Sequence, residues 1–145
     1  MPTEILPVAV VVAELDAYWD GDNITKPVLI EATGAGAALR IDLNRGDHII
    51  GYPSSPTLEE TPVGNWKYVN RAYNVTISIQ TRVSRQRLYD LMAEVRRVCH
   101  SRRHALANFH RWQFQAFNES VGEQANVWVG DASIQLINEG ILAET

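Results

Sequence analysis

The sequence predicts an α+β domain in which an antiparallel or mixed β-sheet is flanked by an N-terminal helix and one long central helix. Apolar and polar residues alternate along residues 73–81 and again along 111–117, as they do in half-buried strands. Between these segments, apolar residues recur at three- and four-residue steps, which is typical of an amphipathic helix. The order helix, strands, helix, strands favours helices packed on a sheet.

Length and composition are those of one globular domain that spans residues 1–145. Of these residues, 46% are apolar and 21% are charged. Cys99 is the only cysteine, so the chain cannot form an intrachain disulfide, as expected for assembly in a reducing compartment. The apolar run at residues 6–13 is short and acidic residues follow it, so we expect neither a signal peptide nor a membrane span, and no membrane among the partners.

The first helix is predicted over Thr3–Trp19. Thr3 is the expected N-cap, and Pro7 lies near the first turn, where proline costs least. The valine-rich run at 8–12 is also compatible with a strand. The residues expected to face the core share one helical face: Leu6, Ala9, Val10, Ala13 and Ala17.

A block of strands follows the first helix. Short strands are predicted over 27–32, 38–43 and 48–52, separated by turns that contain glycine. The strongest strand is Tyr73–Thr81, in which the odd-numbered apolar residues share one face and polar residues the other. We expect the apolar face to be core and the polar face to meet solvent or a neighbouring subunit.

The segment Pro53–Asn65 differs from its surroundings and is predicted to be a long exposed loop or hairpin tip. It contains three prolines and few apolar residues, and an exposed segment of this length is usually functional or disordered. We therefore select it as a candidate interaction surface. The candidate residues in and beside it are Pro53, Pro56, Glu59, Glu60 and Trp66.

The central helix is predicted over Arg85–Ala107, with Ser84 as its N-cap. Two strands follow, over 111–117 and 126–139, and a bulge is predicted near Gly130 and Asp131 because apolar residues change parity there. The helix residues expected in the core are Leu88, Leu91, Met92, Val95, Val98 and Cys99.

Charge is unevenly distributed along the chain. Between residues 82 and 111 there are eight arginines and two acids, a balance of +6, whereas the remaining residues balance at −10. This pattern suits subunits that meet head to tail, a segment that faces nucleic acid, or a solvated helix face. The arginines selected as candidate contacts are Arg82, Arg85, Arg96, Arg97, Arg102 and Arg103.

No enzyme signature is present, and we predict no catalytic residue, cofactor or metal site. Cys99, His100, His104 and His110 are close in sequence, but no second cysteine or carboxylate pair completes a zinc site. A buried cysteine and exposed histidines are the simpler interpretation.

Four soft patterns together resemble a known family. They are Trp-Asp-x-x-Asn-x-x-x-Pro at residues 19–27, Gly-Asp-x-Ile-x-x-Tyr at 46–52, Tyr-x-Val-x-Ile-x-Ile-x-Thr at 73–81, and an Arg-Leu-Tyr helix at 87–97. In this order the chain, from about residue 5 to 138, is similar to the tail-terminator, tail-completion and head–tail joining (neck) proteins of tailed viruses, bacterial or archaeal.

This resemblance implies a virion structural protein, assembled in the host cytoplasm, that forms a ring at the junction of head and tail. The expected ring is a hexamer that terminates the tail tube, contacts tube and neck proteins, and lets DNA pass through its lumen without sequence-specific binding. The Pro-rich segment would reach a neighbouring subunit or the adjacent ring. The alternative is a nucleic-acid-binding protein, or another oligomeric adaptor, that uses the Arg-rich segment 82–111.

Overall fold

Two helices pack on one face of a five-stranded mixed sheet in the computed structural model, which describes residues 6–32, 46–120 and 126–143. The predicted α+β class is therefore confirmed. The predicted strand at 38–43, the turn before it and the first half of the turn after it lie outside the described residues. The elements are α1 (Pro7–Tyr18), β1 (Val28–Glu31), β2 (His48–Val63), β3 (Tyr68–Thr81), α2 (Arg85–Ser101), β4 (Arg111–Ser120) and β5 (Trp128–Leu142).

The strand order is β1-β2-β3-β5-β4. β1 and β2 are parallel and every other neighbouring pair is antiparallel. α2 carries the chain from β3 to the edge strand β4, and β5 then returns between them. β3 is consequently the central strand, with β2 on one side and β5 on the other.

The core lies between the sheet and the two helices. Tyr73, Val75, Ile77 and Ile79 of β3 are all buried, which confirms the predicted core face of this strand. Every residue of the predicted α2 stripe, from Leu88 to Cys99, is buried as well. The apolar face of β3 and the apolar stripe of α2 therefore pack against each other and specify most of the core.

α1 differs from its prediction in both start and orientation. It begins at Pro7 with Leu6 as N-cap, so Thr3 is not the N-cap. The face buried against the sheet contains Val8, Val11 and Leu15, whereas Leu6, predicted to be core, is 68% exposed. Since α1 is apolar on nearly all sides, its sequence does not distinguish the inner face.

Gly51 of β2 allows α1 to lie close to the sheet. A Cβ at this position would stand 2.7 Å from Cγ2 of Val12 and 3.0 Å from Cγ1 of Val8. A larger residue at this position would push the helix outward, so the absence of a side chain permits the close packing of α1 on the sheet.

α2 is shorter than predicted. It ends at Ser101 rather than Ala107, and turns occupy the residues before β4. Trp112 holds these turns, because its backbone N–H donates to the carbonyl of Arg103 and its indole N–H donates to the carbonyl of Arg102. These hydrogen bonds replace continued helical bonding.

The predicted bulge at Gly130 and Asp131 is wrong. Both residues pair regularly with β3 and β4, and the register shifts lie elsewhere, between Phe114 and Ala116 and between Val69 and Arg71. Parity is kept because Gly130 itself points to the core side, where the ring of Phe117 covers it; a Cβ there would lie 2.2 Å from Cζ of Phe117. Because a glycine occupies this core-facing position, the alternation of apolar and polar residues along β5 is not visible there in the sequence.

Candidate assembly surface

The segment predicted as a loop or hairpin tip is the outer half of a β-hairpin. Residues 58–63 of β2 pair with residues 68–73 of β3 in continuous register, and we call residues 58–73 the distal arm. All residues from 55 to 63 are exposed. At a strand rise of about 3.3 Å per residue, the paired part of the arm is about 20 Å long. The arm is thus an ordered projection.

The tip of the distal arm holds a large aromatic side chain in an unusual backbone conformation. Gly64, Asn65 and Trp66 have φ values of +61°, +57° and +68°, and the N–H of Lys67 donates to the carbonyl of Gly64 over 3.1 Å. Positive φ is rare for a bulky residue, and such strain accumulates at functional positions. Trp66 is 58% exposed, and its side chain lines a shallow pocket of the arm with Val69 and Arg71.

Three exposed apolar side chains form a row beside the tip. Val63 is paired with Tyr68, and Tyr68 is paired with Leu142 of β5, so the three lie side by side across three strands. Their exposed fractions are 42%, 39% and 67%. They form a small apolar area on one side of the end of the arm, whereas Trp66 lines the pocket on the other side.

The other side of the arm is a shallow pocket of about 270 Å³. Val69 lies in it, and Arg71 pairs with Glu60 across the strands, with Nη2 and Oε1 at 2.9 Å. The backbone N–H of Ala143 donates to the carbonyl of Lys67 over 2.9 Å. The chain following β5 is therefore fastened to the tip turn.

A row of amide side chains crosses the sheet at the base of the arm. Gln135 donates to Asn74, and Asn74 donates to the carboxylate of Glu59 over 2.8 Å. Gln113 and Gln115 both donate to the side-chain oxygen of Gln135. These hydrogen bonds link β4, β5, β3 and β2, and they hold the arm in line with the sheet.

Most of the selected arginines are engaged within the chain. Arg85 makes two hydrogen bonds to Glu119, at 2.8 and 2.9 Å. Arg97 makes two to Glu94, at 2.6 and 2.7 Å. Arg102 donates to Glu14 over 2.9 Å. The Arg-rich segment therefore serves mainly to join α2 to its neighbours.

Arg102 also lies over an aromatic ring, with its guanidinium carbon 3.7 Å from the ring centroid of Tyr18. Arg82 interacts with other residues of the chain too. By contrast, Arg96 and Arg103 are exposed and make no ion pair with the part of the chain that the structure describes. They are the arginines best placed to meet a partner.

Two of the sequence patterns meet in a buried joint at Glu94. This carboxylate is 4% exposed and accepts hydrogen bonds from the backbone N–H of Asp20, from Asn23 and from Arg97. Burial acts to raise the pKa of Glu94, but the hydrogen bonds from Arg97, Asp20 and Asn23 outweigh it and hold the pKa below its usual range. The joint ties the turn after α1 to α2.

A second joint uses Asp47, at the start of β2. Its carboxylate accepts hydrogen bonds from the hydroxyl of Thr81 over 2.6 Å and from Nε of Arg87 over 2.8 Å. The ends of β2 and β3 are thereby connected to the first turn of α2. The patterns that resemble the virion family therefore supply structural contacts rather than reactive groups.

Reactive chemistry finds little support in the described residues. Burial raises the pKa of the Cys99 thiol to about 12, so this cysteine is not a nucleophile at neutral pH. Within residues 6–32, 46–120 and 126–143, no group of three or more His, Cys, Asp or Glu side chains could hold a metal ion. No helix in those ranges is long and apolar enough to cross a membrane.

Comparison with solved structures identifies a protein of the same fold. The chain is similar to one from the virion of a native gene transfer agent particle, with a TM-score of 0.61 over 91% of this chain and 93% of the other. The two are 16% identical, so the likeness shows a shared fold. No family model matches the chain, and no curated protein matches it.

The structure separates the sequence-selected residues into two groups. Pro53, Pro56, Glu59 and Glu60 lie along β2 and Trp66 lies in the tip turn, whereas the selected arginines lie on and around α2. Sequence reasoning missed the apolar row. Val63 and Tyr68 flank a four-residue turn that could have paired them, but the pairing of Tyr68 with Leu142 joins segments far apart in sequence.

Proposed function

We propose that this chain is a virion structural protein, with a structural rather than catalytic role, that forms a ring at the head–tail junction. The ring would terminate the tail tube and join it to the neck, with DNA passing through its lumen. Three findings support the proposal: the fold shared with a chain of a gene transfer agent virion, the resemblance of four sequence patterns to neck and tail-terminator proteins, and the exposed distal arm.

The single observation that carries the proposal is the apolar end of an ordered arm. Tryptophan and tyrosine are enriched at the centres of interfaces, where their large surfaces are removed from water. An arm already fixed by strand pairing loses less conformational freedom on binding than a disordered loop does. Trp66, Tyr68 and Leu142 are thus prearranged for contact with a protein surface.

The nucleic-acid-binding alternative finds less support. Arg85, Arg97 and Arg102 are paired with carboxylates of the same chain, which removes most of their charge from any phosphate. Arg96 and Arg103 remain as exposed cations, a small number for salt-dependent DNA binding. If DNA binding were the main activity, affinity would fall steeply with salt and Arg96→Gln with Arg103→Gln would abolish it.

The first test is the mass of the purified protein in solution by light scattering, over a range of concentration and salt, with negative-stain images. The measurement is made alone and with the tube protein of its particle. A ring, or a monomer that closes into a ring on the tube, supports the proposal. A strict monomer that ignores tube protein overturns it.

The second test removes the distal arm. A simple deletion of residues 54–64 would leave β3 without its partner, so the sharper variant joins Leu58 to Tyr73 through an Asn-Gly turn and ends the chain at Glu139. This variant should fold and fail to cap tubes. The matched control is Thr61→Ala, an exposed change within an intact arm. Full capping by the armless variant would contradict the role given to the arm.

A further inference from the structure

β5 is irregular where it passes from the body of the sheet to the side of the distal arm. In the register with β3, Asn70 stands opposite two residues of β5, Glu139 and Gly140, and Gly140 has a φ of +61°. The pairing of β5 with β4 reaches only to Ile137. An extra residue of this kind interrupts the hydrogen-bonded ladder. We call residues 138–140 the 138–140 bulge.

Side chains from both sides bind the two backbone N–H groups of this bulge. The N–H of Gly140 donates to Oδ1 of Asn70 over 2.8 Å. The N–H of Glu139 donates to Nδ1 of His110, the residue before β4, over 2.9 Å. The side-chain oxygen of Asn138 in turn accepts from the backbone N–H of His110 over 2.9 Å. The bulge is therefore held by side chains as well as by the strands.

Beyond the bulge, β5 continues for two residues. Ile141 and Leu142 pair with β3, and the N–H of Ala143 donates to the carbonyl of Lys67. Leu142 is the most exposed member of the apolar row, at 67%. A short, exposed end of a strand opens at little cost in free energy. The contacts of the bulge therefore help to keep Leu142 beside Tyr68.

The two acceptors at the bulge respond differently to pH. The amide oxygen of Asn70 does not titrate, whereas Nδ1 of His110 accepts a hydrogen bond only while the ring is neutral. Imidazole changes its charge between about pH 5 and 8, and an imidazolium has donors at both nitrogens. Protonation of His110 therefore removes the acceptor of the Glu139 N–H and leaves that of the Gly140 N–H in place.

Charged groups beside His110 also act on the protonated ring. On the elements that meet at the bulge, the ionisable side chains are Arg103 and His104 in the turns after α2, Arg111 on β4, Glu139 on β5, and Arg71 on β3 with its partner Glu60 on β2. Nη2 of Arg111 and Oε1 of Glu139 are 2.7 Å apart. An imidazolium is attracted by the Glu139 carboxylate and repelled by the Glu139 N–H. The protonated ring is thus drawn from the backbone toward the carboxylate, in competition with Arg111.

We propose that His110 is a pH switch for the end of β5 beside the distal arm. Its protonation releases the N–H of Glu139, loosens residues 139–143 and takes Leu142 out of the apolar row. This inference rests on the proposed role of the arm in assembly and adds a means of regulation to it. Neutral pH keeps the apolar row complete, and mildly acidic pH weakens its contact with a neighbouring protein.

The experiment measures hydrogen exchange along β5 in the whole protein at about pH 7.5 and about pH 5.5, on either side of the ordinary titration of imidazole. Labelling times are scaled to the intrinsic exchange rate at each pH. We expect the protection of residues 139–143 to fall about fivefold at the lower pH, the effect of losing one hydrogen bond. Residues 132–136, in the body of the sheet, should keep their protection.

Two variants at His110 separate the effect of its proton from that of its ring. His110→Asn retains a side-chain acceptor that does not titrate, so residues 139–143 should be protected equally at both pH values. His110→Phe retains a ring without an acceptor, so protection should be low at both. The matched control is His100→Asn, which removes an exposed histidine from α2 and should keep the wild-type response.

Asn70→Ala tests the acceptor that does not titrate. It should lower the protection of residues 139–143 at both pH values, because Gly140 loses its partner, and leave the response to pH in place. Assembly is then measured by light scattering at the same two pH values, alone and with tube protein. The wild type should associate severalfold more weakly at the lower pH, and His110→Asn equally at both.

The outcomes separate this inference from the ring proposal. Wild-type protection that is equal at both pH values, or a response that persists in His110→Asn, would overturn the switch. Assembly that ignores pH although the end of β5 loosens would overturn its control of the arm. A switch that operates in a protein that assembles at neither pH would overturn the ring proposal and leave the titration of the bulge established.

Discussion

The two halves of the β2–β3 hairpin are separated by a register shift between Pro53 and Leu58, and their β2 strands have opposite relations to water. In the inner half, Ile49, Ile77 and Ile79 are fully buried beneath the helices. In the outer half, residues 58–63 of β2 are all exposed, and of their β3 partners Val69 and Tyr73 are buried. Backbone pairing therefore lengthens the hairpin, whereas burial of its apolar residues beneath the helices stabilises the fold.

Function and stability are therefore expected to separate along one hairpin. Changes at buried residues of the inner half should destabilise the protein, and changes at exposed residues of the outer half should leave it folded but unable to assemble. Variants along the hairpin and its supports can test this division.

The largest effect is expected from Ile77→Ala. Ile77 is fully buried and lies between Gly51 and Ala132 in the register, so its neighbours are too small to fill the cavity. The free energy of unfolding should fall by about 2–5 kcal/mol, measured by urea denaturation. Thr61→Ala, on the outer half of the same hairpin, is the control. An equal loss from both would refute the division.

The next effect is expected at the Glu94 joint. Glu94→Ala leaves the N–H of Asp20 and the side chains of Asn23 and Arg97 without their acceptor, which should cost about 2–3 kcal/mol of unfolding free energy. This change does not alter the hairpin. A loss of stability would therefore show that the contacts between α2 and the turn after α1 also stabilise the protein.

The same joint predicts a pH dependence. Because the folded-state pKa of Glu94 is held below its unfolded value, its stabilisation is complete above the ordinary carboxyl pKa of about 4.3 and is lost as pH falls through the folded pKa. Denaturation curves between pH 7 and pH 3 should show this loss, and Glu94→Gln should flatten it. An unchanged slope in the Gln variant would assign the acid sensitivity to other carboxylates.

A smaller effect is expected from Gly64→Ala in the tip turn. A Cβ there meets no atom within 4 Å, so its cost comes from φ of +61° alone and should be about 1 kcal/mol. Thermal unfolding would detect it. Gly21→Ala, which also meets nothing and has an ordinary φ, is the matched control and should have a smaller effect.

The smallest effect on stability is expected from Trp66→Ala, within about 0.5 kcal/mol of wild type, because the side chain is mostly exposed. This variant is the most informative of the series. A protein that folds normally but cannot assemble would show that Trp66 serves assembly and not stability. A loss above about 2 kcal/mol would instead make Trp66 part of the core.

The two helices explain why the sequence predicted some packing and not the rest. α2 carries charged residues on its outer side, so its apolar stripe from Leu88 to Cys99 was evident and all of it is buried. α1 has few polar residues to mark an outer side, and it packs against Gly51, about forty residues away along the chain, through Val8 and Val12. Long-range fit cannot be deduced from local periodicity.

The distal arm and the arginines illustrate the same limit for the candidate site. The prolines at 53, 56 and 62 signalled an unusual exposed segment, and the predicted alternative of a hairpin is confirmed. The proline content nevertheless concealed that residues 58–63 of this segment pair with β3. The density of arginines at 82–111 was evident, but their carboxylate partners, such as Glu14 and Glu119, come from distant segments.

The position of β3 between β2 and β5 has a consequence for the order of events during translation. Tyr68 pairs with Val63 on one side and with Leu142 on the other, so one flank of the arm is supplied by a strand synthesised about seventy residues later. Until that strand leaves the ribosome, the arm has an open edge, and the turn at Lys67 lacks its bond from Ala143. A nascent chain therefore carries an unfinished arm, and only a fully synthesised molecule presents the completed one to its neighbours.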